Sequence, residues 1–147
     1  MNMKLIKDYY TGLIPFYTIF LLYMMLYGCG REAGEIGNLQ LVPFRSIQHF
    51  LLPQIPFGKF FMNIICNIVV FIPFGWLGLS IKPLKNIFLL LPLYILGIIS
   101  IELTQHFTGR GMADIDDVIL NTLGMLSGYF ILWIFEKGFA KSGHSIA

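Results

Sequence analysis

The sequence predicts an all-α integral membrane protein, a four-helix bundle with an interfacial amphipathic segment between its first two helices. Its 147 residues are 56% hydrophobic and only 12% charged, and the mean hydropathy is +0.75. So few charged side chains cannot cover the surface of a soluble domain of this length, and the long apolar runs exclude a disordered chain. Four of these runs approach the roughly 20 residues that a helix needs to cross a bilayer core of about 30 Å.

The predicted spanning helices cover residues 9–28, 60–79, 86–107 and 118–135. Proline and glycine occur inside them, but neighbouring helices in a membrane bundle satisfy the backbone groups that such residues leave unpaired. Once these helices are assigned, only loops remain, so we expect residues 1–147 to form a single transmembrane domain.

The distribution of basic residues predicts the orientation. Three segments that fall on the same side of a four-span protein carry Lys4, Lys7, Lys82, Lys85, Lys137 and Lys141. The opposite side carries Arg31, Arg45, Lys59 and Arg110. By the positive-inside rule, we expect a multi-pass protein of the cell membrane with both termini in the cytoplasm.

A cleaved leader is the alternative for the first run, because Leu26 to Cys29 loosely resembles a bacterial lipoprotein cleavage site. The bulky Tyr27 fits such a site poorly, and a run of about 20 residues exceeds the 7 to 15 of a typical signal-peptide core. We therefore expect a retained helix. Cys66 lies in the middle of the second run, so we expect no disulfide bond with Cys29.

The connection between the first two spanning helices is too long for an inert turn. Its middle part, residues 38–52, mixes apolar and polar residues without reaching the length of a membrane span. We expect this part to lie in the outer membrane interface, with Phe44 and Phe50 in the apolar layer and Arg45 towards the headgroups. The alternative is an irregular loop whose phenylalanines cover the bundle.

Two amides share one face of the second helix. Asn63 and Asn67 are four residues apart, and Phe71 continues the same row. Amides inside a bilayer seek partners across a helix interface, so this pair could simply hold helices together, while Asn67 is also a candidate ligand-binding residue. Pro73 then frees a backbone carbonyl and bends the helix.

The end of the third helix carries several polar groups. Glu102, Gln105 and His106 lie on adjacent parts of one face, and Arg110 follows in the loop. A carboxylate at this depth must be paired or protonated, since charge near hydrocarbon is costly. These groups predict a functional site, and the structural alternative is a buried pair of Glu102 and Arg110 that fastens the loop.

Three acids stand at the start of the fourth helix, whose positive dipole end favours them. Capping would explain one of Asp114, Asp116 and Asp117, but not all three. The helix continues as a stripe at spacings of four, three and four residues, formed by Asp117, Asn121, Gly124 and Gly128. The two glycines predict a groove for helix packing, and the polar part of the stripe is expected to face the bundle interior.

A series of short motifs extends from residue 38 to residue 130. They are Asn38-Leu39 with Pro43-Phe44, Asn63-x-x-x-Asn67-x-x-x-Phe71-x-Pro73-Phe74-Gly75, Glu102-x-x-Gln105, Arg110, Asp114-x-x-Asp117 and Asn121-x-x-Gly124-x-x-x-Gly128-Tyr129. In their order and spacing they resemble the VanZ-like family. The resemblance implies a bacterial multi-helix membrane protein, from a family whose named member is associated with teicoplanin resistance without the cell-wall precursor change that protects against vancomycin.

The first functional hypothesis is non-enzymatic: a contribution to glycopeptide (teicoplanin) resistance or cell-envelope maintenance through a polar site at the outer membrane face. Teicoplanin carries an acyl chain, so the expected partners are membrane lipids and a lipoglycopeptide or lipid-linked cell-wall precursor. The candidate ligand-binding residues are Asn67, Gln105, Arg110, Asp114 and Asn121.

The alternative hypothesis is a membrane enzyme that acts on an outer-leaflet lipid or cell-wall intermediate. Glu102, the deeper carboxyl group, would hold a proton while Asp117 stayed ionised, so the two could divide the acid and base roles. A metal-dependent variant would use Glu102, His106, Asp114 and Asp117, but no HExxH or paired-histidine spacing and no phosphate-binding glycine loop occurs, so we expect neither a metal nor a cofactor. Nucleic acid is not an expected partner. A third hypothesis, a small transporter, would need a homo-oligomer, because four helices enclose only a narrow path.

Overall fold

The computed structural model describes residues 3–28 and 32–141, with side chains up to residue 138. Four helices are long and apolar enough to cross a membrane, and they confirm the predicted all-α membrane bundle. We call them α1 (Met3–Tyr27), α3 (Phe57–Leu79), α4 (Ile87–Phe107) and α5 (Ile115–Lys141), and the short helix α2 is Arg45–Phe50. Cys29 and Arg31, which entered the leader, disulfide and orientation predictions, lie outside the described residues.

Side chains on the outside of the bundle are large and apolar. Phe16 in α1 is 73% exposed and Phe88 in α4 is 86% exposed. A soluble protein would bury side chains of this size, whereas a bundle in hydrocarbon turns them towards lipid. The four helices therefore present surfaces suited to contact with membrane lipids.

The bundle has two chemically different ends. One, which we call the polar end, carries the connection from α1 to α3 and the loop from α4 to α5. The other, which we call the lysine end, carries the start of α1 and the short 3-10 turn Lys82–Lys85 between α3 and α4. Lys85 makes an ion pair of 3.0 Å with Glu136 of α5 at this end.

Helix α3 changes its winding along its length. It begins as an α-turn at Phe57–Phe60, continues as a π-helical stretch at Phe61–Ile65, and ends as a 3-10 helix at Ile72–Leu79. Pro73 lacks the N–H that would continue a regular helix, which explains the change near its position. Two hydroxyl groups of α1 bond to carbonyls near this bend, Tyr17 to Val70 at 2.6 Å and Tyr10 to Pro73 at 2.9 Å. Backbone groups that the bend leaves unpaired in an apolar region thereby find partners.

Glycines allow α3 and α5 to pack backbone against backbone. A Cβ atom on Gly124 would overlap the carbonyl oxygen of Ile68, and one on Gly128 would overlap that of Ile72. The contact is reciprocal, because a Cβ atom on Gly75 of α3 would overlap backbone atoms of α5. Close approach of this kind drives helix association in membranes, where the hydrophobic effect between helices is absent.

A two-residue parallel bridge closes the polar end. Strand β1 (Leu39–Gln40) pairs with β2 (Ala113–Asp114), which immediately precedes α5. The segment before β1 also bonds to the end of α4, with Gly37 N–H donating to the carbonyl of His106 at 2.9 Å. This bridge, which the sequence did not predict, brings the α1–α3 connection over the start of α5.

Candidate functional site

A cavity of about 590 Å³ opens at the polar end of the bundle. Its walls come from β1, α2, the π-helical part of α3 and the start of α5. The polar side chains that line it are Asn38, Gln40, Arg45, Ser46, His49, Asn63, Asp114, Asp116 and Asp117. A cavity of this size, with both acidic and basic groups at its wall, has the dimensions of a small-molecule or headgroup site.

Asp116 is fully buried and fastens α2 to α5. One carboxylate oxygen accepts the N–H of Phe44 at 2.5 Å, and the other accepts the N–H groups of Ser46 and Ile47 at 2.8 and 3.1 Å. These N–H groups at the start of α2 have no partners within the helix, so the carboxylate satisfies them and meets the positive end of the helix dipole. Asp116 therefore fixes α2 in its place in the cavity wall.

Phe44 has a strained backbone at the entry to α2. Its φ of 66° lies in the left-handed region, and it is the one non-glycine residue with a positive φ in the described ranges 3–28 and 32–141. Such a conformation costs about 1 to 3 kcal/mol and persists only where its surroundings enforce it. The bond from its N–H to Asp116 is one such restraint, and the exposed ring suits contact with the interfacial layer of a membrane.

Asp114 links three elements at the cavity wall. Its carboxylate accepts bonds from the hydroxyl group of Ser46 and from the N–H of Asp116, the latter at 2.9 Å. Its own N–H donates to the Glu102 carboxylate of α4 at 3.1 Å. Glu102, 4% exposed, therefore supports Asp114 from the bundle side and does not line the cavity.

Asp117 lines the cavity and lies beside the side-chain amide of Asn67 in α3. The side-chain N–H of Asn67 donates to Oδ1 of Asp117 at 2.9 Å and to the carbonyl of Asn63 at 3.1 Å. Asn63 lies in the π-helical stretch Phe61–Ile65, and such stretches occur frequently at functional sites. Asn67 thus forms a hydrogen bond across the interface between α3 and α5.

Gln105 and Arg110 lie away from the cavity and bind the end of α1. The Gln105 amide donates to the carbonyl of Met25 at 2.8 Å, and the Arg110 guanidinium donates to that of Leu26 at 3.2 Å. The guanidinium also lies 4.0 Å from the ring centroid of Tyr27. Both side chains satisfy carbonyls that the end of a helix leaves unpaired, and the positive charge suits the negative end of the dipole.

Asn121 is 1% exposed and lies in the bundle interior below the cavity. Its backbone carbonyl accepts a bond from the Tyr94 hydroxyl group at 3.1 Å, while its side-chain oxygen has no hydrogen-bond partner within the described part of the chain. Of the sequence-predicted site residues, the cavity wall therefore contains Asp114 and Asp117, with Glu102 and Asn67 in the layer behind it.

Sequence reasoning left out three residues that shape the cavity. The sequence pattern put Asp116 among three acids at the start of the fourth helix and Arg45 towards the lipid headgroups, and it did not single out His49. The signal for Asp116 was present, since capping did not explain three acids in four residues. No group of three or more metal-ligating side chains occurs within residues 3–28 and 32–138.

Comparison of the sequence with models of known protein families shows to which family the chain belongs. The model of the VanZ/LLP1 family matches residues 14–136, which include all four spanning helices in large part and the whole cavity wall. No curated protein and no solved structure gave a significant match. Because the family model covers most of the sequence, the chain belongs to the VanZ/LLP1 family.

Proposed function

We propose that this VanZ/LLP1-family membrane protein contributes to glycopeptide (teicoplanin) resistance or cell-envelope maintenance by binding an acylated ligand at the outer membrane face. The observation that supports the proposal is the cavity of about 590 Å³ at the polar end, whose wall combines polar side chains with apolar ones such as Phe50 and Ile64. A ligand with a polar headgroup and an acyl chain could bind the cavity while its chain stays in the bilayer.

The cavity wall offers recognition groups of both signs. Arg45 is exposed at the start of α2, and its guanidinium is suited to bidentate bonds with a phosphate or carboxylate group. Asp114 and Asp117 line the same cavity, and the Asp117 carboxylate is suited to accept hydrogen bonds from amines or hydroxyl groups of a ligand. A lipoglycopeptide and a lipid-linked cell-wall precursor each carry such groups, so both remain candidates within this proposal.

The arrangement favours binding over acid–base catalysis. Asp116 uses both oxygens to hold α2, and Asp114 uses both to hold Ser46 and the backbone of Asp116. Glu102, the proposed acid of the enzyme alternative, bonds to the backbone of Asp114 and does not line the cavity. The carboxylates therefore serve mainly to fix the shape of the wall, as a preorganised binding site requires.

Susceptibility to teicoplanin and vancomycin in a sensitive Gram-positive host that expresses the protein tests the proposal. Asp117→Asn is the informative variant, because the amide oxygen still accepts the bond from Asn67 while the charge at the cavity is removed. We expect the wild type to raise resistance to teicoplanin selectively and Asp117→Asn to reduce that effect at equal membrane levels. Glu32→Gln, at an exposed acid that lines neither cavity, is the matched control and should retain it.

Absence of any wild-type effect, with the protein present in the membrane, would overturn the resistance proposal. A wild-type effect that Asp117→Asn leaves unchanged would separate resistance from the polar cavity. Total loss of activity in Asp117→Asn without any loss of ligand binding to the purified protein would instead support the enzyme alternative.

A further inference from the structure

A second cavity, of about 360 Å³, lies at the opposite end of the bundle and is rich in lysine. It is bounded by the start of α1, the end of α3, the turn Lys82–Lys85 and the last part of α5. The ionisable residues that line it are Lys4, Lys7, Asp8, Lys82, Lys85 and Glu136. Four lysines face two acids, so the cavity carries a positive charge.

One acid is already engaged. Glu136 accepts a bond of 3.0 Å from the ammonium group of Lys85, which leaves Asp8 as the other acid beside the remaining lysines. Lysine ammonium groups donate hydrogen bonds and accept none, so a cluster of them suits a ligand rich in anionic oxygens. The chemistry of the lining thus points to a phosphate group.

The cavity is held by contacts across several helices. The turn that carries Lys82 and Lys85 packs directly on Gly78, where an added Cβ atom would lie 2.9 Å from the Lys85 Cα. The Tyr129 hydroxyl group of α5 donates to the Lys85 carbonyl at 3.0 Å. The side that faces the bundle is formed by Gly78 and Leu79, both buried. These contacts fix the turn over the end of α3 and lower the entropy cost of binding there.

The position of the lysine-end cavity in the membrane indicates which phosphate-bearing molecule it binds. The cavity lies where four membrane-length apolar helices end, which is the depth of the lipid headgroups. Basic pockets between spanning helices bind anionic headgroups, and the orientation predicted from the lysines puts this end at the negatively charged cytoplasmic leaflet. We propose that the lysine-end cavity binds the phosphate of an anionic phospholipid.

Thermal unfolding of the full-length protein in phosphatidylcholine nanodiscs with increasing phosphatidylglycerol tests this site. We expect phosphatidylglycerol to raise the unfolding temperature in a saturable manner, because a ligand that binds the native state stabilises it. The double variant Lys7→Gln/Lys82→Gln should require about 30-fold more phosphatidylglycerol for half of the effect. The control Lys59→Gln/Lys137→Gln removes equal charge outside the cavity and should behave as the wild type.

Two further measurements, on an arginine variant and with inorganic phosphate, complete the test. Lys7→Arg/Lys82→Arg, which retains the charge, should bind phosphatidylglycerol nearly as well as the wild type even if the glutamine variant folds poorly. Inorganic phosphate added to discs of phosphatidylcholine alone should give no shift. A saturating shift with inorganic phosphate would assign the cavity to a soluble phosphate, and equal losses in the cavity and control variants would reduce the effect to general surface charge. Either result, or no wild-type shift, would overturn the proposal.

Discussion

The buried carboxylate of Asp116 accepts a hydrogen bond of 2.8 Å from the backbone N–H of Ser46, seventy positions earlier in the chain. Through this bond and its two neighbours, a charged side chain of α5 caps the start of α2. A short helix of six residues has little stability of its own. The cavity wall at the polar end therefore depends on one carboxylate, and the first prediction concerns its removal.

Asp116→Asn should destabilise the protein by about 3 kcal/mol, since hydrogen bonds to charged groups contribute roughly 1.5 to 3 kcal/mol each and an amide has only one acceptor oxygen. Thermal or denaturant unfolding in detergent would measure the change. Asp8→Asn, the same substitution at an exposed position of the lysine end, should change stability by less than about 0.5 kcal/mol. Equal effects of the two variants would refute the capping role of Asp116.

Gly124→Ala should weaken the packing of α3 on α5, because the new methyl group would overlap the Ile68 carbonyl. Overpacking of this kind costs about 1 to 3 kcal/mol. Gly97→Ala is the matched control, since nothing lies within 4 Å of a Cβ atom built at Gly97. We expect Gly124→Ala to lower the unfolding temperature and Gly97→Ala to leave it unchanged. An unchanged unfolding temperature for Gly124→Ala would show that the two helices separate at no cost.

The bond between Asn67 and Asp117 should appear as a coupling energy in a double-mutant cycle. Asn67→Ala, Asp117→Ala and the double variant, compared by reversible unfolding, should give a coupling of about 0.6 to 2 kcal/mol, as for other interhelical hydrogen bonds in membranes. Strictly additive effects would mean that the two side chains act independently, and that Asp117 reaches its position at the cavity wall without Asn67.

Cysteine accessibility in intact cells should reveal which end of the bundle faces outward. In a background of Cys29→Ser and Cys66→Ser, Gln54→Cys at the polar end should react with a membrane-impermeant maleimide. Ile81→Cys, which is exposed at the lysine end, should react only after the cells are permeabilised. The reverse pattern would contradict the orientation inferred from the lysines and would move the polar cavity to the cytoplasmic leaflet.

Polar residues that share one helix face in the sequence pattern do not all lie in the same site in the structure. The spacing Glu102, Gln105 and Arg110 suggested one shared site, yet Glu102 supports Asp114 whereas Gln105 and Arg110 hold the end of α1. A helical repeat specifies which residues share a face, but it does not specify which neighbouring element that face meets. The position of the end of α1 beside α4 and the bridge between β1 and β2 decide that question.

The sequence by itself determined the membrane class, the four spanning helices and the family resemblance, because the length of an apolar run and the order of short motifs are local properties of the chain. Tertiary structure alone decided that Asp116 caps α2, that Arg45 rather than Arg110 reaches the polar cavity, and that four lysines from two segments line one cavity at the lysine end. These features depend on contacts between residues about seventy positions apart, which a linear pattern of hydrophobicity and charge does not encode.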